Sequence, residues 1–212
     1  MRRIARNIGG IPGRIAPFSR SGVNAAGATQ GGGTVDSSIV LIGMMGAGKS
    51  AVGAELGRRL GVPVRDTDAE IARAAAMTIP EIFARDGEAF FRNRETEVLA
   101  RLLSGPGGIV STGGGAWMRP ENRALIGAAG VTVWLNPTLA TLWNRVRQKT
   151  TRPLLQTPDP RGTLERLHAE RAPVYALADV TVDVRSADSV DTTATRVLDA
   201  IRAHRPDLLE RA

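Results

Sequence analysis

The chain has no cysteine in its 212 residues. That excludes a disulfide scaffold, a zinc ribbon and a thiol nucleophile together. Histidine occurs only at His168 and His204, too few for a His-rich metal site. Aromatic residues make up 4% of the chain, with one tyrosine and four phenylalanines. No alternation of basic and aromatic residues offers a stacking platform for nucleic acid. No uncharged apolar run approaches the roughly 18 residues that a membrane helix needs. Lysine is scarce as well: of 28 basic residues, only Lys49 and Lys149 are lysines. Arginine usage therefore sets the sequence pI near 11.1.

What is present reads as a soluble globular chain of one domain, 42% hydrophobic and 23% charged, with a mean hydropathy of −0.09. The formal charge of +7 is uneven. Arg2, Arg3, Arg6, Arg14 and Arg20 stand against Asp36 alone in residues 1–37, a net of +4, so the rest carries only +3. Those first 37 residues are rich in Gly, Ser, Ala and Arg and lack any sustained period. They read as a disordered leader or, being acid-poor and Arg-bearing, as a targeting segment. Residues 38–212 form the expected folded domain.

From Ser38 onward the pattern is regular. Short apolar runs at 39–42, 62–66, 108–111, 131–135 and 180–184 read as buried strands. Helical periods fall at 49–60, 68–76, 79–85, 88–103, 120–128, 138–147, 162–171 and 189–203. Strands alternating with helices predict an α/β fold with a parallel sheet covered on both faces.

Gly43 to Ser50 reads Gly-Met-Met-Gly-Ala-Gly-Lys-Ser, the G-x-x-x-x-G-K-[ST] pattern, between an apolar strand and an amphipathic helix. Glycines there let backbone N–H groups converge on phosphate oxygens, and the helix N-terminus adds positive dipole. Lys49 would reach the β- and γ-phosphates, and the Ser50 hydroxyl would ligate Mg²⁺. The motif indicates a nucleoside triphosphate but not a reaction.

Other segments narrow the choice. Asp66-Thr67-Asp68 follows the second strand, where side chains face the ligand crevice of a parallel sheet. One carboxylate could hold Mg²⁺ through water and the other could deprotonate a hydroxyl; equally, the trio could cap a helix. Arg92 and Glu95, three apart on a helix, could pair on a solvated face or aim the arginine at an anion. Gly113-Gly114-Gly115 allows close backbone approach to a ligand, or is merely a loop. No apolar strand ends in the Asp of a conventional Walker B, so a metal-holding carboxylate must come from elsewhere, and Asp66 is the available one. Arg152 lies in a Pro-bearing loop and Arg171 beside a chain bend.

Taken in order, the P-loop, Asp66-Thr67-Asp68, the run Gly87 to Glu95, Gly113 to Ala116, Arg152-Pro153-Leu154-Leu155 and Arg171-Ala172-Pro173-Val174-Tyr175 resemble shikimate kinase. The resemblance runs from Ile39 to about residue 203. It implies a three-layer α/β/α P-loop kinase fold, with a five-stranded parallel sheet in the order 2-3-1-4-5. It further implies a substrate-binding helical region at about 67–103 and a mobile lid at about 148–160. The implied reaction is ATP-dependent phosphorylation of the shikimate 3-hydroxyl, on the route to chorismate and aromatic amino acids.

By the same resemblance, Gly46, Ala47, Gly48, Lys49, Ser50 and Ala51 bind ATP phosphates. Ser50, and Asp66 through water, hold Mg²⁺. Asp68 grips the substrate hydroxyls and is the base. Arg92 and Arg171 bind the shikimate carboxylate, with Glu95 holding Arg92. Gly113, Gly114 and Gly115 lie against the ring, and Arg152 reaches the phosphates from the lid. Arg145 sits against adenine, and Arg185 and Ser186 stand at the adenine loop, where a family proline near Asp188 is absent. Ala51 replaces the threonine of many members. The implied partners are ATP and shikimate, with no nucleic acid or membrane. The implied enzyme is monomeric and cytoplasmic, or organelle-targeted through residues 1–37. The rival readings are a gluconate or nucleoside monophosphate kinase and a non-catalytic ATP- or nucleic-acid-binding protein. Against gluconate, no histidine follows Asp66-Thr67-Asp68.

Overall fold

The structure is a computed structural model that describes residues 37–148 and 153–209. Residues 1–36 of the expected leader, and Arg152, lie outside the described residues. Five strands form one parallel sheet: β1 (Ser38–Ile42), β2 (Val64–Asp66), β3 (Ile109–Ser111), β4 (Gly130–Pro137) and β5 (Val180–Val184), ordered β2-β3-β1-β4-β5. This is the order the family resemblance implies. The three central strands, β1, β3 and β4, are buried on both faces, which lets their runs be apolar nearly throughout. Ile39, Val40, Leu41 and Ile42 of central β1 are all fully buried, each worth about 1.5–3 kcal/mol of transfer free energy.

The helices are α1 (Lys49–Leu60), α2 (Thr67–Ala75), α3 (Ile79–Leu103), α4 (Pro120–Ala129), α5 (Leu139–Val146), α6 (Pro160–Tyr175) and α7 (Val190–His204). Connections that run towards β2 and towards β5 must, if right-handed, lie on opposite faces of the sheet. That gives three layers. α1 packs with α7, and α4 packs on β4 and against α3. The two helices expected at 79–85 and 88–103 join as α3, interrupted at Gly87, which takes non-helical backbone (φ 82°, ψ 170°).

Some boundaries differ from the sequence reading. β2 begins at Val64 rather than residue 62, because only the carbonyl of Pro63 reaches the ladder, accepting from Ile109 N–H at 2.9 Å. α6 extends to Tyr175, past the bend expected at Pro173. Three short 3₁₀ turns, Ala116–Met118, Pro153–Leu155 and Pro206–Leu208, were not anticipated by periodicity.

Register positions the site. Asp66 pairs with Ser111, and Ser111 pairs with Leu41. The Asp66-Thr67-Asp68 segment, the glycine loop after β3 and the P-loop after β1 therefore leave the sheet at one level. β1 leads by α1 to β2 on one side of the sheet while neighbouring β3 leads by α4 to β4 on the other side, which opens a crevice at their carboxyl ends. A smaller apolar cluster of Ile71, Ile82 and Phe91, with Phe83 and Ile79 packed on it, ties α2 to α3 beside that crevice.

Candidate active site

The P-loop takes its shape from its glycines and its lysine. Gly46 has φ +83°, and a Cβ there would stand 2.7 Å from Val146 Cγ1, so no other residue fits without displacement. Lys49 Nζ donates to the carbonyls of Gly43 at 2.7 Å and Met44 at 3.0 Å, closing the loop on itself. Gly48, left-handed at φ 101°, begins α1 with no side-chain cap and no acid in the first turn. The amides and dipole of that turn therefore suit an anion. Arg145 on α5 donates to the Gly46 and Ala47 carbonyls at 3.3 and 3.2 Å and so clips α5 to the loop.

Asp66 caps a helix and at the same time contacts the P-loop serine. Its Oδ1 caps α2, accepting from Asp68 N–H at 3.0 Å and Ala69 N–H at 3.2 Å. Its Oδ2 accepts the Ser50 hydroxyl at 2.8 Å. The cap therefore aims one carboxylate oxygen at the P-loop serine. Thr67, between the two aspartates, is fully buried, and its Oγ1 accepts from Gly113 N–H at 3.0 Å. This hydroxyl fixes the glycine loop against β2.

A cavity of about 510 Å³ follows the P-loop. Every expected P-loop residue from Gly46 to Ala51 lines it, as do Asp66, Asp68 and Arg145. Arg185 and Ser186 are exposed and do not line it; Asp188, Ser189, Val190 and Thr193 line that end instead. The reason is a closed turn. Asp188 Oδ2 accepts from Arg185 N–H at 2.7 Å and from Arg196 at 2.6 Å, which faces Asp188 into the cavity and the Arg185 side chain to solvent. A helix-cap reading of Ser189, whose Oγ accepts from Thr192 N–H at 3.0 Å, could have found this end from the sequence.

A second, smaller cavity of about 70 Å³ lies beside the first. Asp68, Met45 and Gly114 line both, so the two meet there. Arg92, Arg171, Gly113 and Gly115 line the smaller one, together with Phe83, Phe91 and Ile79 from the α2–α3 cluster and Leu154 from the expected lid. Ile79 and Phe83 stand at helical spacing, which in the sequence reads simply as core.

Arg92 is fastened on two sides. Its Nη1 donates to Glu95 Oε2 at 2.8 Å and its Nη2 to Glu88 Oε1 at 2.9 Å, while the guanidinium lies 5.2 Å over the Phe91 ring. Burial works against its charge, yet Glu95 and Glu88 outweigh that and hold its pKa above the ordinary value. Glu95 is fully buried. Burial pushes its carboxyl up from the ordinary range; Arg92 pulls the other way and the Asp68 charge adds to the rise. Glu95 Oε1 has no hydrogen-bond partner. Across the cavity, Arg171 Nη1 donates to the Gly114 carbonyl at 3.3 Å. Two guanidinium groups from α3 and α6 thus converge beside Asp68.

No cluster of three or more His, Cys, Asp or Glu side chains that could cage a metal occurs among the described residues. The Ser50–Asp66 pair offers hard oxygen donors at the P-loop. It fits an ion such as Mg²⁺ that keeps waters and takes its other ligands from phosphate. No helix among the described residues is long and apolar enough to cross a membrane.

This geometry can be set beside known proteins. A family model described as shikimate kinase matches residues 45–202. A shikimate kinase of Ruegeria pomeroyi is 53% identical over 188 residues, covering 88% of this chain and 96% of that protein. One from Cereibacter sphaeroides is 56% identical over 172 residues, covering 81% and 85%. Among solved structures, the shikimate kinase of Acinetobacter baumannii in complex with shikimate aligns with a TM-score of 0.76 at 36% identity, covering 80% of this chain and 94% of that one. A gluconokinase of Sinorhizobium meliloti, at 20% identity and a TM-score of 0.53, shares the fold alone. With Gly46 to Ser50 of the P-loop, the paired arginines and the glycine loop inside the matched span, the chain belongs to the shikimate kinase family.

Proposed function

We propose that the chain transfers the γ-phosphoryl group of ATP to the 3-hydroxyl of shikimate, giving shikimate 3-phosphate and ADP. The observation that carries this reading is the position of Asp68, shared by the P-loop cavity and the cavity holding Arg92 and Arg171. A carboxylate between a phosphate cradle and an anion clamp suits a small acid bearing hydroxyls.

Each residue then has a task. The α1 N-terminal amides and Lys49 take the phosphates. Arg92 and Arg171 bind the shikimate carboxylate, and the planar Arg92 fork can do so through two parallel hydrogen bonds. With the carboxylate fixed, Gly113, Gly114 and Gly115 let the ring lie close to backbone, and one hydroxyl faces Asp68. Asp68 accepts that hydroxyl's proton as the oxygen–phosphorus bond forms and the bond from the γ-phosphorus to the ADP oxygen breaks. Ser50 and Asp66 would hold Mg²⁺, which when bound neutralises phosphate charge. Arg145 and the Asp188–Thr193 edge shape the far end of the nucleotide cavity, and Arg152 belongs to the phosphate contacts by resemblance. Positioning and charge neutralisation supply most of the catalysis in such transfers. The reading includes a monomeric enzyme working in the cytoplasm, which sedimentation and cell fractionation of the full chain would check.

A coupled ADP-release assay over shikimate, gluconate and nucleoside monophosphates tests the proposal. Turnover confined to shikimate is expected. No turnover with shikimate would reject it.

A further inference from the structure

The chain contains a single tyrosine, Tyr175, at the end of α6. Its ring is 1% exposed and stacks on Trp134, with centroids 5.8 Å apart and 23° between planes. Its hydroxyl donates to the Gly114 carbonyl. The same carbonyl oxygen accepts from Arg171 Nη1 at 3.3 Å. The neighbouring Trp117 Nε1 donates to the Val174 carbonyl at 2.8 Å, so the segment after the glycine loop is tied to the same turn of α6. Gly114 lies where the two cavities meet.

One oxygen therefore has two donors, and one of them is an arginine required elsewhere. Under the proposed function, on which this step rests, Arg171 must turn part of its guanidinium to the substrate carboxylate. The Gly114 carbonyl would then lose a partner just as substrate fills the cavity and shuts out water. A carbonyl left unsatisfied in that position would charge its desolvation against binding. We infer that Tyr175 is a positioning residue for Arg171: its hydroxyl keeps the Gly114 carbonyl satisfied, so that Arg171 is free to take the shikimate carboxylate. Burial pushes the phenol up to about 12, against the pull of Arg171, so the hydroxyl stays protonated and remains a donor over the working pH range. Without it, Arg171 would stay committed to the carbonyl or leave it orphaned.

Tyr175→Phe keeps the ring and its stacking and removes only the donor. Shikimate affinity, measured by titration and as KM, should weaken by about five- to twentyfold, while ATP affinity stays within twofold. The decisive comparison is the same substitution in an Arg171→Ala background. There no guanidinium is withheld from the carboxylate and only the cost of the carbonyl itself remains, so Tyr175→Phe should lower shikimate affinity by a clearly smaller factor than in the single variant. Unchanged affinity in the single variant would overturn the inference. So would an equal loss in the Arg171→Ala background, which would make Tyr175 a general prop of the loop. Should Tyr175→Phe not fold, 3-fluorotyrosine incorporated at this lone tyrosine gives one fluorine resonance. It should shift on saturation with shikimate in the otherwise unaltered chain and stay put in Arg171→Ala; no shift in the former would overturn the inference. Failure of the unaltered chain to bind shikimate at all would instead strike the proposed function.

Discussion

Gly115→Ala isolates the part played by Arg92. Gly115 has φ −102° and ψ −13°, ordinary right-handed backbone, so alanine brings no backbone strain. The added Cβ would stand 2.5 Å from Cζ, Nη1 and Nη2 of Arg92. Non-bonded carbon and nitrogen need about 3.5 Å, so the guanidinium must retreat by about 1 Å. It can do so, because it is the far end of a long side chain and Arg92 is 16% exposed, with half-exposed Glu88 free to follow. Folding stability should fall by less than about 1 kcal/mol. The retreat, however, moves the fork off the substrate carboxylate. Losing one charge-assisted hydrogen bond costs about 1.5–3 kcal/mol, or roughly 10- to 150-fold in affinity. A coupled ADP-release assay with shikimate varied at saturating ATP should show that rise in KM, with the KM for ATP and the melting temperature nearly unchanged. A shikimate KM within twofold of the unaltered chain, or a parallel rise in both KM values, would refute the assignment.

Asp68→Asn should remove most turnover, by about 100-fold or more, while titration still shows ATP binding; equal activity would deny Asp68 the proton. Glu95→Gln should reveal a pH-dependent difference in stability. Because the buried Glu95 carboxyl holds its proton more tightly folded than unfolded, its contribution is full below the unfolded value near 4.5 and is lost as pH rises through the folded value. Urea midpoints at acidic and neutral pH should therefore show the unaltered chain losing ground to the glutamine variant as pH rises; the opposite slope would contradict the direction. Asp188→Ala, which releases both the Arg185 turn and Arg196, should raise the KM for ATP several-fold and leave that for shikimate alone, and the reverse pattern would move Asp188 away from the nucleotide.

How far the sequence reached depends on the distance over which each feature is determined. The P-loop is local: its glycines, its lysine and its helix start lie within eight residues, and the structure folds them as the motif requires. The central strands are legible because burial on both faces writes them as nearly unbroken apolar runs, and β5 shows as an alternation of buried valines with exposed Thr181 and Asp183. Strand ends are less so, as β2 shows, where Pro63 still pairs through its carbonyl outside the strand. The continuation of α6 through Pro173 is hidden because proline usually ends a helix, yet here its ring is exposed and the turn before Tyr175 is kept. The dual use of Asp66 was open at the level of spacing, and only the placement of its two oxygens shows capping and serine contact together. The meeting of Arg92 with Arg171, and of Tyr175 with Gly114, joins residues far apart in sequence. No periodicity encodes such pairs; the family resemblance pointed to the first and nothing in the sequence pointed to the second. Arg185 and Ser186 show the limit of matching by position, since the turn closed by Asp188 presents different side chains.

A crystal of the full chain grown with ADP and soaked in shikimate tests the central claim most directly. The account predicts the carboxylate seated between the guanidinium groups of Arg92 and Arg171, the ring against Gly113–Gly115, and one hydroxyl within hydrogen-bond reach of Asp68 on the side facing the P-loop. A carboxylate bound away from both arginines, or a ring whose hydroxyls all point away from Asp68, would contradict it.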